Sequence, residues 1–563
     1  VRFLLIAILL LTGFFAKAQP PQDYFINPLN IPLVLSGTFG ELRTNHFHSG
    51  IDIKTQGREG LNILATADGF VSRIKVQAGG YGNAIYIDHP NGYTTVYAHL
   101  KSFKKELADF VKQQQYAQQR FEVDLYPVPY QFLVNQGDII AKSGNSGRSA
   151  APHLHFEIRH TESEHPMNPL LFGIKVADSR KPNIHKVGIT SINEQGNISN
   201  THFLKNTQQN IQVKANKVGF EVHTTDKLDA AENNNGIYCL IVKHNDTLTY
   251  EFKMDRFSFD ESKYINAHID YPHYIHNSQK IHRAFILEGD LLSCHKQSIN
   301  RGWIDISDGK PHKVSIEISD FEGNTSQRTI TVQQNNAIEL FTFPKQGQYV
   351  ISPNASFYQE TNEYSISINP NSIFKNTHVT VNQYKPSYFN IPANQCLGDV
   401  FEIEPETEVF FQPIDICFKL DSLNFDDSKK LIINQKIEKK KNSYPSTHIN
   451  GNSICAHTRN FGKFYVGEDV KNPTLKPIKN YNGLTLKAGS TIQYSVSDNQ
   501  SGLDYYHAFI DGEWVLLEYD LKSNRFKHTI ESNLTKGEHE FFIVVTDHCG
   551  NLSKHLFTFK IAE

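Results

Sequence analysis

Short runs in which apolar and polar positions alternate, broken by glycine-bearing turns, fill residues 30–175. Asn83-Ala84-Ile85-Tyr86-Ile87 and Thr94-Thr95-Val96-Tyr97 read as half-buried strands, with Ala78-Gly79-Gly80, Pro90-Asn91-Gly92 and Gln136-Gly137-Asp138 as turns. This pattern predicts an antiparallel sheet. One segment leaves the two-residue period. Phe103, Leu107, Phe110, Val111 and Ala117 recur near helical spacing with Lys and Gln on the other side, so an amphipathic helix is expected from Phe103 to about Arg120, inside an insertion at about 103–135.

Past residue 180 or so the texture is β-rich, and it repeats. The run from Gly309 through His312, Asp320, Gly323 and Asn324 to Ser326 parallels that from Gly537 through His539, Asp547, Gly550 and Asn551 to Ser553. Each reads as strand, Asp/Gly-Asn turn, strand: the closing hairpin of a sandwich. Asp226 with Gly236, and Asp498 with Gly502, mark candidate early turns. Two immunoglobulin-like sandwiches are expected at 183–335 and 472–563, with a β-rich domain at 338–468 between them. Within that middle stretch, Glu438–Lys441 reads as a solvated loop.

Composition agrees with a mainly β chain, since 38 Phe and 25 Tyr suit half-buried strands. A net charge of −3 leaves no electrostatic footprint for nucleic acid. At the N-terminus Arg2, the apolar run Phe3 to Phe15 and Ala16-Lys17-Ala18 have the form of a signal peptide over 1–18. The apolar run is shorter than the roughly 20 residues a membrane span needs. Export to a periplasm or cell surface, with no membrane association after cleavage, is therefore expected. That compartment permits disulfides, but the scattered spacing of the 6 Cys specifies no pairing.

Candidate chemistry is concentrated before residue 160. His48-Ser49-Gly50-Ile51-Asp52, Tyr97-Ala98-His99-Leu100 and Pro152-His153-Leu154-His155-Phe156-Glu157 stand out. His153 and His155, two apart on a predicted strand, share one face while Leu154 and Phe156 take the other. Two imidazoles and a carboxylate suit zinc, whose catalytic sites keep one position open for water. On spacing alone the signal is weak, because the chain has 26 His.

In combination these motifs are specific. Together with Phe39-Gly40-Glu41-Leu42-Arg43, Asp68-Gly69-Phe70-Val71, Gly80-Tyr81-Gly82-Asn83, Gly137-Asp138 and Gly144-Asn145-Ser146-Gly147, residues 39–170 resemble the catalytic domain of M23 peptidases, the lysostaphin/LytM-type metalloendopeptidases of bacterial cell walls. The resemblance implies an antiparallel catalytic domain over 19–180, one Zn2+ held by His48, Asp52 and His155, and His99 and His153 as non-ligand histidines that assist the water and the oxyanion. It implies peptidoglycan stem or cross-bridge peptides as substrate. Two features depart from the family pattern: the insertion, which is either a groove wall or inert packing, and Ser149-Ala150-Ala151 where small-Thr-Gly is usual.

Neighbouring residues read less sharply. His46 is expected at the surface and His89 in a turn. Glu157 either orients a ligand or forms a structural ion pair, and Arg43 either meets substrate or braces its loop. Rival functions are a non-catalytic regulator that activates an amidase, an exported protease acting on proteins, and an adhesion or scaffold protein with a vestigial enzyme. The sandwiches carry no chemical motif; they are expected to act as spacers, with exposed edges available to a protein partner.

Overall fold

The computed structural model describes residues 20–562 except 424–429 and 438–441. The candidate signal segment and the Glu438–Lys441 loop lie outside the described residues. Strands dominate, gathered into successive pairs of sheets, so the chain is mainly β. Among the described residues no helix is long and apolar enough to cross a membrane.

The first region contains β1 (Leu35–Gly37), β2 (Ile51–Lys54), β3 (Asn62–Leu64), β4 (Gly69–Val76), β5 (Ala84–Asp88), β6 (Tyr93–Ala98), β7 (Leu100–Phe103), α1 (Lys105–Gln118), β8 (Val123–Leu125), β9 (Leu133–Val134), β10 (Ile139–Ser143), β11 (His153–His160) and β12 (Pro166–Met167). The main sheet runs β1-β2-β11-β6-β5-β4-β8, with β12 beside β11 and β9 beside β4; a smaller sheet runs β3-β10-β7. Alternation decides which side is buried. Ile51, Ile53, Ile85, Ile87, Tyr97, Leu154, Phe156 and Ile158 all lie inside one apolar core.

Helix α1 forms where the apolar spacing placed it, but its buried stripe differs. Leu107 and Val111 are buried, as is Gln115, whereas Ala117 is exposed. Gln115 can be buried because its Nε2 donates to the Phe121 carbonyl at 2.7 Å, satisfying the amide. The helix also docks on the far end of the chain. Tyr116 packs edge-on against Trp514 at 5.1 Å, and Lys112 pairs with Glu531 at 2.9 Å.

Beyond it, a five-stranded and a six-stranded sheet enclose a second core. Phe39 and Phe47, which flank the candidate site, pack into this core and not into that of their own sheet. Two five-stranded sheets follow, with a disulfide between register partners Cys417 and Cys455; Cys239, Cys294, Cys396 and Cys549 are buried free thiols. A four- and a five-stranded sheet close the chain. The repeat seen in the sequence corresponds to two antiparallel hairpins, His312–Ser319 with Thr325–Gln334 and Gly537–Asp547 with Leu552–Ile561.

Candidate metal centre

Strand β11 is the platform. Leu154, Phe156 and Ile158 are fully buried on its core face, so His155, Glu157 and Arg159 project from the opposite one. Register supplies the neighbours. β2 places Asp52 opposite His155, and β6 places Ala98 opposite the same residue, so that His99 follows immediately. His99 takes a left-handed backbone, φ 59°, and its N–H donates to the Tyr81 carbonyl at 2.9 Å. Such a conformation is uncommon for a residue other than glycine and clusters at functional sites.

Ligand atoms of His48, Asp52 and His155 all lie within 4.8 Å of one another. His48 Nδ1 is 2.8 Å from the Thr38 carbonyl. A carbonyl only accepts, so that nitrogen carries the proton and Nε2 faces Asp52 Oδ1 at 3.1 Å. In His155 the roles reverse. Nε2 donates to Glu157 Oε1 at 2.8 Å, which turns Nδ1 toward Asp52 Oδ1 at 2.8 Å and His48 Nε2 at 3.0 Å. Two imidazole nitrogens and a carboxylate therefore converge, each ring oriented from behind by an acceptor. This donor set and these outer partners fit zinc.

Charge follows the same geometry. Burial pulls His155 down, but hydrogen bonds with Asp52 and Glu157 outweigh it and raise the ring to about 9. A proton and a cation compete for that nitrogen. Burial lowers His48. For Asp52, burial acts upward, yet the neighbouring His48, His153 and His155 hold it well below the usual carboxylate range. Glu157 is buried too, and the Arg159 guanidinium and His155 keep it ionised. Its Oε1 also accepts from Ser49 Oγ at 2.6 Å and Tyr81 Oη at 2.5 Å, while Arg159 Nε donates to Oε2 at 2.6 Å.

His99 and His153 complete the cluster. Their rings lie 4.7 Å apart. His99 donates through Nδ1 to the Ser146 carbonyl at 2.8 Å, leaving its Nε2 as the free base, and His153 Nδ1 lies 2.9 Å from the Ala151 carbonyl. His153 Nε2 stands 3.4 Å from Asp52 Oδ1. Burial first, then the neighbouring His155 and His153, push His99 down to about 3, so it is neutral at physiological pH.

The structure thus brings all five candidate residues to one place. Glu157 orients His155. Arg43 braces the site, its Nη2 donating to Asp52 Oδ2 at 2.6 Å. His46 is exposed. His89 is buried, its nitrogens 2.8 Å from the Asp68 carbonyl and 2.8 Å from Thr95 Oγ1, so it is a satisfied core residue. Sequence reasoning missed the supporting roles of Thr38, Ser49, Tyr81 and Arg159. The alternation of β11 was a signal for Arg159; nothing local marks the Thr38 carbonyl.

Residues 46–117 and 124–169 match the profile of Peptidase family M23. This part of the chain is an M23-type domain. Among curated proteins it is similar to the DD-carboxypeptidase/endopeptidase Mpg of Neisseria meningitidis, 34% identical over 156 residues, covering 28% of this chain and 27% of that protein. It is also similar to the murein hydrolase activator NlpD of Escherichia coli, 34% identical over 125 residues, covering 22% of this chain and 26% of that one. The chain spans about a quarter of the length of these relatives. Among solved structures, the catalytic domain of lysostaphin from Staphylococcus simulans is similar at 22% identity and TM-score 0.19, covering 25% of this chain and 91% of that one.

Proposed function

We propose that the M23-type domain is a zinc metalloendopeptidase that hydrolyses peptide cross-links of bacterial peptidoglycan. The observation that supports this reading is the convergence of His48, Asp52 and His155 with correctly turned ligand atoms and of two further imidazoles beside them. Zinc held there would polarise the scissile carbonyl and acidify a water. The chain's own residues do the rest. His99, kept neutral by burial, offers an unprotonated Nε2 to take the proton of the attacking water, with the His153 ring beside it. The two rings then hydrogen-bond the oxyanion that develops on the carbonyl. Glu157 and Thr38 fix the two ligand rings.

The named activities of the relatives, an endopeptidase and a murein hydrolase activator, favour a cell-wall substrate and a periplasmic or cell-surface location. The signal segment at 1–18 is read as directing export, and the later sandwiches as immunoglobulin-like spacers that position the enzyme. An activator without its own catalysis would not need a full ligand set and both extra histidines. The test is digestion of purified sacculi by the zinc-loaded chain, with muropeptides analysed by mass spectrometry and casein as a protein control. Cross-link cleavage that disappears in His155→Ala supports the proposal. Intact cross-links alongside faster turnover by an added amidase would assign the activator role instead.

A further inference from the structure

Two triads of aspartates lie outside the M23-type site, and they are copies of one another. Oxygen atoms of Asp178, Asp226 and Asp320 lie within 4.8 Å of one another, as do those of Asp469, Asp498 and Asp547. In each, the first Asp stands in the linker that enters a sandwich, four residues before a proline, Pro182 or Pro473. The second follows a strand, Lys217–Thr225 or Thr491–Ser497, and the third sits at the turn of the closing hairpin.

The supporting bonds repeat as well. The Asn324 N–H donates to Asp320 Oδ1 at 2.9 Å and the Asn551 N–H to Asp547 Oδ1 at 2.8 Å. The same amide side chains reach the carbonyls of Asp178 at 3.4 Å and Asp469 at 2.9 Å. Ser326 and Ser553 each donate to the linker proline carbonyl at 2.6 Å.

These bonds describe a scaffold; other features point to an occupant. Asp226 is 1% exposed, yet its Oδ1 has no hydrogen-bond partner. Asp178 Oδ2 and Asp498 Oδ1 are likewise buried without a donor. Among the described residues no Lys or Arg forms an ion pair with any of the six carboxylates. A buried carboxylate oxygen without donor or counter-charge is costly. At the first triad Asp178, Asp226 and Asp320 border a cavity of about 30 Å³ whose other walls are mostly apolar, Leu170, Val176 and Leu228 among them, with room for one ion or water.

We propose that each triad binds one calcium ion, tying the incoming linker to two loops at the end of its sandwich. All three anchoring donors are carboxylate oxygens, which suits a hard cation. Calcium accepts the irregular geometry and additional carbonyl or water ligands that such a loop cluster offers, whereas magnesium demands a near-ideal octahedron. The consequence is mechanical. One ion stiffens the passage from the M23-type domain into the first sandwich, the other the passage into the last.

The test uses the full chain, saturated with zinc and then titrated with calcium chloride by calorimetry. Two calcium ions per chain are expected, one in Asp226→Asn, one in Asp498→Asn and none in the double variant, with zinc content unchanged. Calcium should raise the thermal midpoint of the wild type by about 5 °C or more relative to EGTA. It should slow tryptic cleavage after Arg180 and Lys471, both inside the linkers, about tenfold. Equal responses to magnesium, no heat with calcium, or a calcium shift that survives in the double variant would each overturn the proposal. The wild-type comparison in calcium and EGTA needs no variant to fold.

Discussion

Two clusters of histidines lie in adjacent domains and behave in opposite ways. In the M23-type domain three imidazoles surround Asp52, and His155 is raised to about 9. In the first sandwich His268, His282 and His295 also gather. There His268 Nε2 lies 2.8 Å from His282 Nδ1 and its ring stacks on Phe252 at 4.1 Å. Asp290 pairs with His295 at 3.0 Å, but among the described residues no carboxylate forms an ion pair with His268 or His282. Burial wins: His282 falls to about 3 and His268 well below its ordinary value. Imidazole density is therefore not what makes a metal centre. A shared carboxylate and rings turned by acceptors behind them do so, and a core cluster without them is packing.

Exchanging one residue in each cluster gives the sharpest contrast. Asp52→Ala should remove bound zinc and lower sacculus cleavage by about 10³-fold or more, because several kcal/mol of transition-state stabilisation goes with the metal. His268→Ala should keep zinc and instead destabilise the sandwich by about 2–4 kcal/mol through the cavity it opens. Metal analysis with calorimetry reads both. Should His268→Ala lose zinc, the two clusters would not be independent. Next in size, Glu157→Gln should weaken zinc binding about 10–100-fold, measured by competition with a chelator, since it removes the charge behind His155.

Acid separates the clusters in another way. His282 has a depressed pKa in the folded chain, so its stabilising contribution is complete above about 6.5, the unfolded value, and is lost as pH falls toward 3. The sandwich should lose about 1.4 kcal/mol per pH unit from this group in that window. Denaturant unfolding at a series of pH values, with and without His282→Gln, checks the slope.

The smallest effect concerns the loop beneath His99. Lys522 of the last sandwich donates to the carbonyls of Asn145 and Ser149, on either side of Ser146, which holds His99. Being exposed, this contact should contribute under about 1 kcal/mol, and Lys522→Ala should shift the melting midpoint by no more than a few degrees.

Much of the site was legible because it is local in sequence. An H-x-H pair on a strand shares a face by geometry, and His48 and Asp52 lie four residues apart. The closing hairpins were legible for the same reason, with Asp320 and Asp547 visible in the repeat. Their partners Asp178 and Asp469 were not, since they sit in linkers with no pattern of their own. Ala117 and Gln115 exchanged places because apolar spacing does not register that an amide can be buried once its donor is satisfied.

Alternation and turn residues, read one strand at a time, were enough for the β class of the chain and for the residue types available to a cation. They could not settle which strands become neighbours. Asp52 and His99 flank His155 only because β2 and β6 pair with opposite edges of β11 in one register. The ring of His48 is turned by Thr38, and its segment is held by Phe39 and Phe47 in another domain's core. Such contacts join residues far apart along the chain, and they form only where burial and hydrogen bonding of the whole fold agree.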